Sequence, residues 1–535
     1  MSPAQKRLTL VAAILGSLVA FIDGTIVNVA LPRIRDDLGG GLAGQQWLTD
    51  SYLLTLGALL LVGGSLGDLF GRRRAFAVGL AGFGAASLLC AAAPSITLLI
   101  VFRALQGIAA ALLVPNTLGL IVARFEQAER GAAIGAWTAW SGIAMVIGPL
   151  AGGLLLAAGS WRWIFAINLV PIAIALVLCA RLDDTHDHLV GGRVDMVGAV
   201  LATLGLGGPV FALIEQPQRG WGDPLILISL FGGIALLVAF VAYERRASHP
   251  MLSLELFRQR NFVVGNGATL AIYGGLSAVP FFLVLFLQQV AGYSPLEAGV
   301  ALLPVTLMMF SLSRRFGALA DRIGPRLFMG LGPVVAGTGL ALLARLDASG
   351  DYVADVLPAV LVFGFGLSLT VAPLTAAVLG GVAEEHAGIA SAINNAVARV
   401  GGLLAVAALG AVVAASFATQ LDANLAGVRL DARARAYVDG ARRRALSGGA
   451  PASLGAQRAV VARAVDDASV QAFRTSMLII GGLVACGGLL SAAGIENPRR
   501  RVHASECPGG AAVGASADAG HVPLTPAPGG AAATH

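Results

Sequence analysis

The chain has 535 residues, of which 57% are hydrophobic and 12% charged, with 70 glycines and a formal net charge of +6. Soluble domains average about 45–50% apolar and about 25% charged residues, so the string of soluble domains that length alone would suggest is excluded. The basic residues are spread between apolar runs, which points to membrane orientation rather than nucleic acid.

Apolar runs of about 18 residues or more read as membrane-spanning helices. In chain order they cover 8–30, 46–66, 75–93, 96–123, 131–157, 161–180, 194–214, 224–243, 262–290, 296–312, 327–346, 353–380, 387–416 and 473–494, fourteen spans in all. The first follows a basic end but is too long for the apolar core of a signal peptide. With the N-terminus inside, 20 Lys and Arg residues fall in cytoplasmic segments against 5 in the short outer loops. That asymmetry predicts both termini in the cytoplasm. It leaves 417–472 outside despite its arginines, as a segment of short exposed helices, and a disordered cytoplasmic tail over 496–535.

Two stretches repeat one pattern at a constant offset of 253 residues: Gly64, Leu66, Asp68, Gly71 and Arg73 recur as Gly317, Leu319, Asp321, Gly324 and Arg326. A fixed offset at the ends of two apolar runs predicts an internally duplicated helical unit. The repeat follows spans 2 and 10 rather than 2 and 8, so two spans have been inserted. The predicted organisation is a six-helix bundle over 1–180, an inserted pair with its flanking loops over 181–260, and a second six-helix bundle over 261–495 that carries the 417–472 insertion.

The four cysteines have no paired spacing, so neither a disulfide framework nor a zinc site is predicted. The only lysine is Lys6, which excludes a phosphate-cradling Walker loop. No catalytic spacing and no cofactor motif is present, so the chain is read as a non-enzyme that draws on a gradient.

Six motifs in order resemble the major facilitator superfamily and, within it, its fourteen-helix drug:proton antiporter family. They are the two loop repeats; Arg103, Gln106 and Gly107 in span 4; Gly148, Pro149, Gly152 and Gly153 in span 5; Asp23, Thr25, Asn28 and Pro32 in span 1; and Trp161, Arg162, Trp163 and Asn168 at span 6. Leu69 and Ala144 depart from the residues usual at their places. The resemblance covers roughly residues 8–495 and implies an all-α major facilitator fold with 14 transmembrane helices. It also implies a multi-pass protein of the cytoplasmic membrane that acts as a monomer and extrudes amphipathic small molecules from a central cavity in exchange for protons.

Within that frame, Gly64, Asp68, Gly71, Arg72 and Arg73 with Gly317, Asp321, Arg322 and Arg326 are candidates for a cytoplasmic latch that pairs in one conformation and separates in the other. The bland alternative is that the arginines only enforce topology. Gly148 and Pro149 interrupt the helix ladder, and Gly152 and Gly153 allow close approach, so span 5 can bend or slide, or simply pack tightly. Charge inside a span is expensive, about 2.5–3.5 kcal/mol per residue even on permissive scales. Asp23, Asp50 and Arg103 are therefore the proton-coupling candidates, because moving an arginine against a buried carboxyl switches its proton affinity. A permanent salt bridge is the alternative for Asp23 and an interfacial place for Asp50. Gln46, Trp47, Trp137, Trp140, Asn394, Asn395 and Arg399 are substrate-cavity candidates, with Trp47 alternatively an interfacial anchor. Two other functions compete: a metabolite facilitator or importer, and a non-transporting membrane receptor.

Overall fold

The computed structural model describes residues 3–182, 195–247, 252, 254–379, 382, 387–442 and 444–497. The tail beyond 497, Arg193 and the side chain of Asp321 lie outside the described residues. All regular structure among the described residues is helical: α1 (Pro3–Leu38), α2 (Gly41–Phe70), α3 (Arg72–Ala92), α4 (Ile96–Arg124), α5 (Gln127–Ala157), α6 (Trp163–Ala166), α7 (Leu169–Ala180), α8 (Met196–Arg219), α9 (Pro224–Glu244), α10 (Arg260–Gln289), α11 (Pro295–Val300), α12 (Leu303–Ile323), α13 (Pro325–Leu343), α14 (Leu357–Leu379), α15 (Ala387–Asn424), α16 (Ala432–Arg442) and α17 (Arg458–Gly494). A chain surrounded by lipid must satisfy its backbone groups internally, and helices do so. The outward faces are correspondingly apolar, with Val78, Leu88 and Leu89 of α3 and Ile228, Phe231 and Val238 of α9 exposed.

Thirteen helices among the described residues are long and apolar enough to cross a membrane, several of them built from two consecutive elements. The sequence predicts fourteen; the fourteenth, span 5, falls on α5, some of whose side chains lie outside the described residues, and its described apolar stretch is Val146–Ala157. Helix ends follow capping chemistry. Ser95 accepts from the Leu98 N–H, Asp195 from Gly198 and Asp223 from Leu225, and Ser294 with Glu297 forms a reciprocal capping box at α11.

One scheme of helix contacts occurs twice. In the first set, α1 lies on α4, α5 and α7, α2 on α4, and α3 on α4 and α7; in the second, α10 lies on α14, α15 and α17, α12 on α14, and α13 on α14 and α17. The repeated glycines sit at matched places in this scheme. Gly71 separates α2 from α3 at φ 92°, and Gly324 separates α12 from α13 at φ 95°. Positive φ disfavours any side chain with a Cβ by about 1–2 kcal/mol. Gly71→Ala and Gly324→Ala are each expected to lower stability by that amount, and together by the sum, in thermal melts of the purified protein.

The pair α8 and α9 packs together closely: a Cβ on Gly208 would lie 2.3 Å from the Ser229 carbonyl oxygen. Its α8 face is seated against both α2 and α15, where Val210 and Ile214 pack with Ala43, Leu403 and Ala407.

The sequence predicts short exposed helices over 417–472; in the structure α15 continues to Asn424, α17 begins at Arg458, and the short helix α16 lies between them. Charged residues on one side of a helix end the apolar run without ending the helix. The 11-residue α16 between them buries Ala434, Val438 and Ala441, one stripe at helical spacing, onto the same core as Phe417, Leu421, Val461 and Val465. The segment is thus a packed cap rather than loose surface helices. It lies at the end of the bundle where α1 finishes, called the crown below; the opposite end, where α1 begins, is the base.

Candidate functional site

Two helices of the first set bring charge into their common interior. Asp23 of α1 is fully buried and Arg103 of α4 is 1% exposed, and the two form a salt bridge. Three further polar side chains complete the group. Gln106 donates to Asp23 Oδ1 at 2.9 Å and to Ser87 Oγ at 3.0 Å; Asn168 donates to the same Asp23 oxygen at 3.0 Å. Arg103 donates to Gln106 Oε1 at 2.7 Å and, through Nε, to the Leu48 carbonyl at 3.1 Å. Its guanidinium rests 4.4 Å from the centre of the Tyr52 ring. A buried ion pair is tolerable only when its remaining donors and acceptors are also bonded, and here the bonds come from α1, α2, α3, α4 and the break between α6 and α7. The sequence reading named Asp23 and Arg103 but not Gln106, Asn168, Ser87 or Tyr52 as site residues. Gln106 was legible as the residue three places from Arg103 on one helix face; Ser87 carries no signal of its own.

Asp50 of α2 is different. It is fully buried, and neither carboxylate oxygen has a hydrogen-bond partner among the described residues. Gln46, Asp50 and Gly57 lie on one face of α2 by helical spacing. Gln46 Nε2 donates to the Val406 carbonyl of α15 at 2.8 Å, and a Cβ on Gly57 would touch Arg399 Cβ of α15 at 3.5 Å. Asp50 therefore lies on the α2 face turned to α15, the seam between the two sets. Arg399 carries no hydrogen bond among the described residues.

The other cavity candidates have mixed surroundings. Trp47 Nε1 donates to Glu215 of α8 at 2.9 Å, Trp137 Nε1 to Ser17 at 2.8 Å, and Asn394 Nδ2 to Thr269 of α10 at 2.8 Å. Asn395 donates to the Ser391 carbonyl of its own helix at 2.9 Å and is exposed, as is Trp140.

The α5 motif has two contact faces. A Cβ on Gly148 would lie 2.0 Å from Thr25 Oγ1, and one on Gly152 would lie 2.9 Å from Ile26 Cγ1, both on α1. A Cβ on Gly153 would instead lie 2.6 Å from Leu296 Cα of α11, where Gly299 in turn abuts the Pro149 carbonyl. Further bonds join the sets in the crown half. Gln288 donates to the Val29 carbonyl at 3.0 Å, and Arg35 bonds Gln289.

At the base the loop motifs make bonds within each set. Arg72 donates to Asp68 at 3.0 Å and to the Gly119 carbonyl at 2.8 Å, Arg73 to the Cys179 carbonyl at 3.0 Å, and Arg326 to the Ala492 carbonyl at 2.6 Å. Each arginine thus ties the loop to a neighbouring helix end, and guanidinium on orphan C-terminal carbonyls also suits the helix dipole. Arg322 is exposed.

The family model for the Major Facilitator Superfamily matches residues 13–406. Puromycin resistance protein pur8 of Streptomyces alboniger is 40% identical over 77% of this chain and 82% of its own length. Multidrug resistance protein Stp of Mycobacterium tuberculosis is 33% identical over 90% of each chain, and a probable actinorhodin transporter of Streptomyces coelicolor is 35% identical over 79% of this chain and 75% of its own. Among solved structures, a bacterial homologue of the human lysosomal transporter Spinster superposes with a TM-score of 0.64 at 15% identity, over 93% of this chain and all of the other, which establishes likeness of fold. This chain is a multi-pass membrane transporter that belongs to the Major Facilitator Superfamily.

Proposed function

We propose that the chain exports amphipathic small molecules across the cytoplasmic membrane in exchange for protons, as a member of the fourteen-helix drug:proton antiporters. Residues 1–180 and 261–495 act as two bundles around a central cavity, 181–260 is the inserted pair, the base faces the cytoplasm and the chain works as a monomer. The relatives named for puromycin resistance, multidrug resistance and actinorhodin transport support the direction and substrate class. The observation that carries proton coupling is the pair of buried carboxyls: Asp23 bonded by Arg103 and Gln106 of α4 and by Asn168 at the α6–α7 break, and Asp50 without a hydrogen-bond partner among the described residues, on the α2 face toward α15.

On this reading the bonds at Gln46, Gln288 and Arg35 hold the crown closed, and substrate enters from the base. Parting α2 from α15 exposes Asp50 to the outside, where it takes up a proton; reclosure returns it to the cytoplasmic side, with Asp23 and Arg103 coupling the motion to charge. The two loop motifs act as the base latch when the base closes. One proton crossing 100 mV releases about 2.3 kcal/mol, enough to sustain roughly a fortyfold substrate gradient.

Accumulation of a panel of dyes, antibiotics and polycyclic natural products in an efflux-deficient host tests the proposal. Expression should lower accumulation, and an uncoupler should restore it. Accumulation that is lowered equally with and without the uncoupler would sink proton coupling, and accumulation raised by expression would mean import.

Arg399 bears on substrate charge. A guanidinium without a bond on the face near Gly57 favours substrates that present an acidic or acceptor-rich oxygen. Arg399→Gln is expected to weaken efflux of acidic aromatic substrates roughly tenfold, in line with the loss of one charge-assisted hydrogen bond, while sparing cationic dyes. Dose–response curves for matched acidic and cationic substrates measure it.

A further inference from the structure

Beyond the central seam, the crown holds a second set of unpartnered donors. Residues 444, 447 and 448, beyond α16, lie beside the ends of α1 and α10 and border an open cavity of about 350 Å³. Arg33 and Arg35 line it from α1, Gln289 from the end of α10, and Tyr437, Arg444 and Ser447 from the cap. Three of these groups have buried polar atoms without any hydrogen-bond partner: Gln289 Nε2, Arg444 Nε and Ser447 Oγ. Ser447 is only 8% exposed. Buried donors are ordinarily satisfied, and these three belong to residues that line one cavity, which marks it as a place where a ligand can supply the acceptors once the side chains turn toward it.

The charges agree. Asp36 is bonded to Arg35 at 2.9 Å and neutralises it, while Arg33 and Arg444 carry no salt bridge among the described residues. The pieces are also held in place from behind. Gln289 Oε1 accepts from Arg35, the Arg444 guanidinium lies over the Tyr437 ring at 5.2 Å, and Ser469 Oγ bonds the Ser447 carbonyl at 2.6 Å. A second cavity of about 580 Å³ shares Arg35, Asp36 and Arg444 and extends over the α1–α2 turn at Gly39, Gly40 and Gly41. Together they leave room for a body larger than an inorganic ion.

We propose that this crown cavity binds an organic oxyanion, an aromatic carboxylate or sulfonate whose oxygens accept from Arg444 Nε, Gln289 Nε2 and Ser447 Oγ. The walls come from both helix sets, Arg33 and Arg35 from the first and the remainder from the second. The complete site therefore exists only while the crown is closed, and its ligand holds the crown closed. An anion bound there slows turnover from outside without occupying the central seam.

The test is calorimetric titration of the purified full chain in phosphatidylcholine nanodiscs with 1-naphthalenesulfonate, and with its neutral isostere 1-naphthalenesulfonamide. Saturable sulfonate binding is expected, with the sulfonamide weaker by roughly tenfold or more, as loss of charge-assisted bonds requires. Arg444→Gln and Ser447→Ala should each weaken the sulfonate several-fold. Arg33→Gln, at an exposed position that folding does not depend on, should weaken it by a smaller factor. Equal affinity in Arg444→Gln and the parent, equal binding of the sulfonamide, or loss of binding in Arg399→Gln but not in Arg444→Gln would overturn the proposal. So would displacement of the sulfonate by phosphatidylglycerol in the nanodiscs, which would assign the donors to a lipid headgroup.

Discussion

Replacing Asp23 by Asn is expected to reduce proton-driven efflux by about two orders of magnitude, because removing one partner of a buried ion pair costs about 3–5 kcal/mol and each 1.4 kcal/mol is a factor of ten. The side chain accepts from Arg103, Gln106 and Asn168 inside a fully buried group. An amide keeps the size but removes the charge that balances Arg103, and its NH₂ points a donor where donors already converge. Loss of transport alone would not separate coupling from damage to the fold. The double variant Asp23→Asn with Arg103→Gln does separate them. It removes both charges, so the melting temperature in detergent should recover toward that of the parent while exchange of substrate for protons in vesicles stays lost. If the double variant regains exchange, the pair is a structural strut; if Asp23→Asn alone exchanges at the parent rate, Asp23 has no part in coupling. Asp50→Asn gives the complementary result. That carboxyl has no partner to lose, so its substitution should leave stability near the parent value and remove substrate-driven proton movement.

The contrast between these two carboxyls also shows what the sequence could and could not reveal. That Asp23, Asp50 and Arg103 lie inside spans follows from their apolar surroundings, and the 253-residue repeat predicts matched turns, which appear at Gly71 and Gly324 with nearly equal φ. Periodicity carries that much because each signal is local to one helix. Partnership is not local. Asp23 meets Asn168 across 145 residues and Gln46 meets Val406 across 360, and neither separation leaves a trace in spacing. For the same reason spacing carries no sign that the donors of the cavity candidates Asn394 and Trp137 bond Thr269 and Ser17. The packing of the cap was illegible for another reason. Ala434, Val438 and Ala441 are small residues among arginines, so the stripe that α16 buries is too weak in hydropathy to register, though it suffices to pack.

Gly153→Val is expected to stop transport by preventing the crown from closing. The four-residue α5 motif reads as one hinge, but its glycines face different neighbours. Gly148 and Gly152 meet α1 of their own set, whereas Gly153 meets the backbone of Leu296 across the seam. A Cβ there would lie 2.6 Å from Leu296 Cα and 3.0 Å from its Cβ, contacts that flexing a side chain cannot relieve. Overpacking of this kind costs about 1–3 kcal/mol when the neighbours must move. Applied to only one of two conformations, it shifts their ratio by about 5–150-fold. Gly148→Val places its added carbons against Thr25 within the first set, so it should lower the melting temperature instead of biasing the crown. The two outcomes are distinguished with a reporter cysteine at Gln288, carried by parent and variant alike, in a background where Cys507 and Cys486, the exposed cysteine among the described residues, are serine and Cys90 and Cys179 stay buried. In Gly153→Val a membrane-impermeant thiol reagent should label that cysteine faster than in the parent, with the fold intact and transport lost. Gly299→Val, pressed against the Pro149 carbonyl from the other side of the same contact, should reproduce the result. Parent-like transport in both variants would mean that the crown does not need this contact to close.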